Sequence, residues 1–256
     1  MKSWVLILGA SSGIGAKCAI ELAKSGMNIF GIYLRKPKDH IKKLTNQIKS
    51  TGVQVIYRKI NAANEESRQE IIGELKKIDD LNIKLLLHSL AFGALKPMIS
   101  KDTKMALNQK NIEMTLDVMS NSLVYWTQDL LNNDFLSRGS QIIAMTSAGS
   151  KQQWPSYGAV SMAKAALESA ARQLALELAP YNVACNTIQA GITITPALEK
   201  IPGYQNMVNH SIKTNPHKRL TTPNDIARVV TLIGLSENFW LTGNNIKVDG
   251  GESLTS

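Results

Sequence analysis

Only two cysteines occur in the 256 residues. Cys18 and Cys185 fall in an expected helix and an expected strand, with no CxxC and no His-rich spacing. They read as buried thiols of a reducing cytoplasm, with no disulfide framework and no metal site. No apolar run reaches the roughly 18–20 residues that span a bilayer, so a soluble protein with no membrane partner is expected. Low-complexity segments, internal repeats and a dividing linker are lacking too, which leaves one domain over 1–256. The opening Met-Lys-Ser runs straight into "WVLILGA" and a glycine turn. A first buried strand fits this better than a signal peptide, whose cleavage would remove that strand.

Acidic residues are outnumbered 29 to 20 by Lys and Arg, for a net charge of +9. Such a balance suits nucleic acid, a membrane surface or an acidic protein partner. The basic residues are spread, however. Their densest run, "RKPKDHIKK", sits at the start of an expected surface helix, so a solvated lysine face and no nucleic acid are expected.

What is present is alternation. Short Val/Ile/Leu-rich runs near 3–8, 28–33, 53–59, 83–88, 140–146, 182–188 and 245–248 read as strands. Helical stretches fill the gaps at about 13–25, 38–51, 64–78, 111–132, 156–179, 204–213 and 223–235. The last begins "TTPNDIARVV", with Thr222 as cap and Pro223 at the first helical position. This is the pattern of an α/β domain of Rossmann type, a doubly wound parallel seven-stranded sheet with helices on both faces. Ligands in such folds bind beyond the carboxyl ends of the strands.

After the first strand, "LGASSGIGAKCAIELAKSG" spaces Gly9, Gly13 and Gly15 as GxxxGxG. Together with Ser11, Ser12 and Ile14 they form a turn whose amides can cradle a pyrophosphate at a helix N-terminus. The second strand ends in "IFGIYLRKPK" and lacks the Asp or Glu that would bind the ribose 2′-hydroxyl of NAD. Arg35 and Lys36 stand there instead. A cationic pair suits the 2′-phosphate of NADPH, though it could also be a solvated pair on a basic protein. Asn61, followed by Ala62, is a candidate adenine-edge contact or simply a turn former. After the fourth strand, "LLLHSLAFGA" supplies a turn with small residues, and its Ser89, Leu90 and Ala91 are placed to let backbone approach the adenosine ribose and nicotinamide. His88 reads as structural.

The Gly-rich turn, "SAGS" at 147–150, the pair in "WPSYGAVSMAK" and "VDGG" near the end together resemble the short-chain dehydrogenase/reductases over essentially the whole chain. The resemblance implies that Ser147 is the serine that bonds a substrate carbonyl and that Lys164 is the catalytic lysine. Four residues before Lys164, where the usual tyrosine stands, is Val160. Tyr157 precedes Lys164 by seven. Offsets of four and seven return to nearly the same helix face, so Tyr157 and Lys164 can serve one site with the phenol moved along the axis. Reduction of an enoyl thioester requires that displacement, because charge develops on an oxygen beyond the carbon that accepts hydride.

This spacing is similar to that of the divergent enoyl-acyl-carrier-protein reductases, as are "HSLAFG", with Phe92, and "QAGITITPALEKI". The resemblance implies cofactor contacts from Gly191, Thr193 and Thr195. The run over about 196–218 reads as a substrate lid with an apolar inner side, to which Ala197, Ile201, Tyr204 and Met207 contribute, or as a plain surface excursion. Ser147 stands where one major branch has a second tyrosine, and Met119 or Ser120 replaces the ketoreductase asparagine of the long helix at 111–132. An enoyl-type tyrosine with a ketoreductase-type serine resembles the NADPH-dependent branch of some bacilli. An acyl-carrier-protein- or CoA-linked enoyl substrate, a cytoplasmic location and a homotetramer follow as expectations. Lys200, Lys213, Lys218 and Arg219 on the lid would steer an acidic carrier. A 3-oxoacyl (carbonyl) reductase, a dienoyl-thioester reductase and a non-catalytic NADP-binding regulator are the alternatives.

Overall fold

The computed structural model describes residues 2–255. Strands β1 (Lys2–Leu8), β2 (Asn28–Tyr33), β3 (Val55–Lys59), β4 (Leu81–His88), β5 (Gln141–Ser147), β6 (Ala184–Ala190) and β7 (Asn245–Val248) form one parallel sheet, ordered β3-β2-β1-β4-β5-β6-β7. The connecting helices are α1 (Gly13–Lys24), α2 (Lys38–Lys49), α3 (Glu65–Leu75), α4 (Gln109–Leu116), α5 (Ser122–Asn132), α6 (Gly158–Glu177), α7 (Tyr204–Thr214), α8 (Pro223–Leu235) and a short α9 (Glu252–Thr255). This is the Rossmann-type sheet expected from the alternation of strands and helices.

Why the strands read as unbroken apolar runs is clear in β1. Trp4, Leu6 and Leu8 point to one face, against Trp126 and Leu130 of α5 and Leu167 and Leu174 of α6. Val5 and Ile7 point to the other, against Leu22 of α1, Ile48 of α2 and Ile226 and Val230 of α8. Both faces of the pleat are covered, so neither can be polar. Cys18 lies in the second core and Cys185 in the first. Both thiols are buried and free, and burial pushes the Cys185 thiol up to about 12, which keeps it unreactive.

Several element ends differ from expectation by two or three residues, among them the starts of β3 and α6 and the ends of α2 and α3, and two differences have a visible local cause. The sixth strand begins at Ala184 rather than near 182, because Asn182 adopts a left-handed backbone (φ 55°) that closes the preceding turn. The helix expected around 111–132 runs from 109 to 132 but contains a π-helical turn at Asp117–Asn121. Side-chain hydroxyls bond back to the helix on either side of it, from Thr115 to the Asn111 carbonyl at 2.7 Å and from Ser122 to the Val118 carbonyl at 2.9 Å. Such back-bonding loosens the regular ladder.

Strand order reverses between β1 and β4, and the crevice opens there. The fold thus brings the residues after β1, β4, β5 and β6 to one edge.

Candidate active site

The Gly-rich turn leaves β1 at the point of reversal. Gly9 has φ +88°, and a side chain on it would collide with the Ser89 carbonyl at the exit of β4, so glycine alone lets the two strand ends meet. A side chain on Gly15 would strike the Gly9 carbonyl. Gly13 faces Thr195 across the crevice: an added carbon would come 3.2 Å from the Thr195 methyl. The turns after β1 and β6 therefore leave a bare backbone cradle, which fits the pyrophosphate of a dinucleotide. His40, from the first turn of α2, binds the Ser11 carbonyl through Nε2 at 2.8 Å and steadies this turn. The sequence reading missed it, since nothing in the spacing joins residues 29 apart.

Ser147 ends β5 and Tyr157 is the N-cap residue of α6, reached through Ser156 in a left-handed conformation (φ 62°). The Ser147 and Tyr157 hydroxyls lie 3.5 Å apart. Tyr157 precedes the first helical residue instead of sitting inside the helix, and its carbonyl accepts from the Ser161 amide at 2.8 Å. Seven residues at 1.5 Å rise put it about 10 Å along the axis from Lys164. Val160, 5% exposed, packs with Met119, Ala163 and Tyr157. The position four before Lys164 is thus an apolar wall of the site.

Behind this wall the polar groups are buried. Lys164 Nζ donates to the Met145 carbonyl at 2.7 Å, and the Thr146 hydroxyl donates to Glu168 at 2.7 Å. Burial lowers the Lys164 ammonium to about 8, against the upward pull of the Glu168 carboxylate. Burial also governs Tyr157. Burial pushes its hydroxyl above the ordinary range and the Ser147 hydrogen bond draws it partly back. The phenol is held protonated, a donor rather than a phenolate. His88 is fully buried, and its Nε2 donates to the Ser122 hydroxyl at 2.9 Å, which in turn donates to Val118. Desolvation first, and the Lys164 charge second, lower its imidazole to about 3, so it stays neutral.

A cavity of about 280 Å³ joins these groups. Of the residues expected from sequence, Ile14, Ser89, Leu90, Ala91, Phe92, Ser147, Tyr157, Lys164, Gly191, Thr193, Thr195, Ala197, Ile201 and Met207 line it. Gly9, Ser11, Ser12, Gly13, Gly15, Arg35, Lys36, Asn61 and Ala62 are not in that lining, nor is Tyr204 at the start of α7. Asn61 accepts from the Ala63 amide at 3.1 Å, a turn former's bond. The Ala62 carbonyl accepts from Trp126 Nε1 at 2.8 Å. The Arg35 guanidinium lies 3.4 Å over the Phe92 ring, which joins the end of β2 to the cavity rim. Of the four lid cations, Arg219 is taken up by a two-pronged ion pair with Asp225 (2.7 and 3.1 Å), and Lys218 donates to the Lys213 carbonyl.

Sequence reading did not find Gln152, Gln153, Trp154, Asp249 or Glu252 in the lining. Trp154, directly before Pro155, was the one with a signal. The others come from loops and the C-terminal turn, where no periodicity operates.

A family model described as "Enoyl-(Acyl carrier protein) reductase" matches residues 9–253. The chain belongs to the enoyl-(acyl carrier protein) reductase family. The enoyl-[acyl-carrier-protein] reductase [NADH] FabI of Aquifex aeolicus is 28% identical over 188 residues, 72% of this chain and 68% of that one. The 1-cyclohexenylcarbonyl-CoA reductase of Streptomyces collinus is 24% identical over 253 residues, 98% of this chain and 87% of the other. The crystal structure of the Aquifex aeolicus enoyl reductase superposes with a TM-score of 0.86 at 23% identity, covering 98% of this chain and 96% of that one. A Serratia marcescens short-chain dehydrogenase/reductase gives 0.84 at 20% identity, covering 98% of each chain. The protein is thus an oxidoreductase of the enoyl reductase family, and a nicotinamide cofactor is expected in the crevice.

Proposed function

We propose that this chain is an NADPH-dependent enoyl-[acyl-carrier-protein] reductase that saturates a trans-2-enoyl thioester in fatty acid biosynthesis. The position of Tyr157 carries the reading. Its hydroxyl stands beside Ser147, on a residue one turn before Val160 and about two turns before Lys164, while Val160 fills the place of a ketoreductase acid with hydrocarbon. When bound, the nicotinamide supplies a hydride to the β-carbon of the thioester. Tyr157, held protonated by burial, donates to the thioester oxygen where negative charge gathers, and Ser147 supports its hydroxyl. A preorganised donor of this kind is worth roughly 3–4 kcal/mol in the transition state. Lys164, fixed on the Met145 carbonyl, binds the cofactor ribose by family resemblance. Proton delivery to the α-carbon completes the saturated acyl thioester.

The FabI relatives are named for NADH. Arg35 and Lys36, with the Arg35 plane held on Phe92, support the 2′-phosphate of NADPH here. Crotonyl thioester with NADPH should give the butyryl thioester, and a wild-type enzyme that forms no saturated product would defeat the reading. In the Arg35→Ala/Lys36→Ala variant, kcat/KM for NADPH should fall about a hundredfold, the loss of two charge-assisted contacts, with NADH use little changed. An equal fall with both cofactors would place the pair outside phosphate recognition.

The thioester's carrier is acyl carrier protein in this proposal, with CoA as surrogate. Lys200 at the cavity mouth and the exposed Lys213 suit an acidic carrier. No helix among the described residues is long and apolar enough to cross a membrane, and we place the enzyme in the cytoplasm. A homotetramer is the proposed assembly, supported by the exposed Leu232 and Trp240 (73% and 87%) near the edge strand β7.

A further inference from the structure

The C-terminal turn after β7 is joined to the segment 196–218 by side chains that no motif singled out. Glu252 Oε2 accepts from the Ser211 hydroxyl of α7 at 2.8 Å and from the Ile192 amide, just past β6, at 3.2 Å. Ser211 is 1% exposed, so this bond lies inside the protein, and Glu252 itself lines the cavity. Two more bonds run alongside: Asn215 Nδ2 to the Asp249 carbonyl at 2.9 Å, and the Thr255 hydroxyl to the Thr214 carbonyl at 3.0 Å. The Asp249 carboxylate holds the turn in shape by accepting from the Gly251 and Ser253 amides. An added carbon on Gly191 would come 3.0 Å from the Asp249 Cα, so the turn after β6 packs directly on the tail.

These contacts have a geometric consequence. Met207 and Ser211 are four residues apart on α7 and share one face. Fixing Ser211 on Glu252 turns that face inward, and Met207 reaches the cavity beside Leu198 and Ile201. The same oxygen fixes Ile192, between the cavity-lining Gly191 and Thr193. One carboxylate oxygen therefore sets both the lid helix and the turn beneath it.

We propose that Glu252 is a positioning residue that ties the substrate lid to the turn after β6, so that the acyl wall and the cofactor side of the cavity are set together. The inference rests on the reading of 196–218 as a lid. A hydrogen-bonding acceptor is what the arrangement requires, not a negative charge. A glutamine carbonyl has two lone pairs and can keep both bonds, whereas alanine keeps neither.

Limited trypsin digestion of the cofactor-free protein reads the lid directly. Lys200, Lys213 and Lys218 are exposed lid sites, while Lys101 and Lys104, exposed in the loop after β4, serve as the control within the same molecule. In Glu252→Ala, cleavage at the lid sites should rise about tenfold with the control sites unchanged, because it follows the population of the opened lid. Glu252→Gln should stay within about twofold of wild type, since it retains both bonds. With crotonyl thioester, Glu252→Ala should raise KM about tenfold while kcat falls far less. Should Glu252→Ala fail to fold, Ser211→Ala carries the test, with an intermediate rise at the lid sites expected from the loss of one bond. Wild-type cleavage rates in Glu252→Ala or, if that variant is unfolded, in Ser211→Ala would overturn the proposal. So would a Glu252→Gln variant that behaves like alanine, or cleavage that rises equally at Lys101 and Lys104. A wild-type enzyme inert toward enoyl thioesters would defeat the functional reading instead, and the digestion would still decide the latch.

Discussion

Exchanging Tyr157 for phenylalanine should lower kcat toward an enoyl thioester by about 10²–10³, the usual loss for one oxyanion donor. Cofactor affinity and thermal stability should change little, because the ring and its packing against Val160 are retained. The hydroxyl meets the Ser147 hydroxyl at 3.5 Å, a long bond, so its removal strands no tightly held group. KM for the thioester should stay within a small factor, because the lost interaction strengthens only as charge develops on the substrate oxygen. Steady-state kinetics with cofactor titration checks all three. Retained kcat would remove Tyr157 from the chemistry. Val160→Tyr is not expected to rescue the loss, since a phenol there would start one turn inside the Tyr157 position, from the apolar cluster of Met119 and Ala163.

Replacing Lys164 by alanine should raise the cofactor KM and also cost about 10² in kcat, because in the proposed reading this ammonium holds the cofactor ribose and so positions the nicotinamide. The two effects separate it from Tyr157. Its environment predicts a pH signature. Burial brings the ammonium from its ordinary 10.5 to about 8, so wild-type kcat/KM should fall as pH rises through about 8. Stability responds with the opposite sign. Between about 8 and 10.5 the unfolded chain holds this proton and the folded chain does not, so the Lys164 contribution favours the fold increasingly as pH rises. Melting temperatures of wild type and Lys164→Ala, compared across that window, should diverge in favour of wild type. A pH-independent gap would show that the lysine is not titrating there.

Much of the architecture was legible because apolar alternation and glycine spacing are local signals. β1 could be read from "WVLIL" since both faces of that strand are covered. Val160 and Tyr157 stood out because helical periodicity relates them to Lys164. What stayed hidden depends on contacts distant in sequence. The π-turn at Asp117–Asn121 adds one residue to a turn without altering the apolar pattern. His40 meets Ser11, and Glu252 meets Ile192 and Ser211, across separations that only the folded sheet closes. The electrostatics of Lys164 and Tyr157 stayed hidden for a similar reason. Proximity on a helix face predicts mutual stabilisation, but the Lys164 ammonium is turned onto the Met145 carbonyl and burial dominates both groups.

The most direct measurement is NADPH oxidation by the wild-type enzyme with crotonyl and acetoacetyl thioesters on the same carrier. A donor placed one turn out, over a site whose inner position is Val160, predicts kcat/KM at least about 10² higher for the crotonyl compound, because only its developing oxyanion meets the Tyr157 hydroxyl. Faster turnover of acetoacetyl thioester to the 3-hydroxy product would contradict the account and make the enzyme a carbonyl reductase.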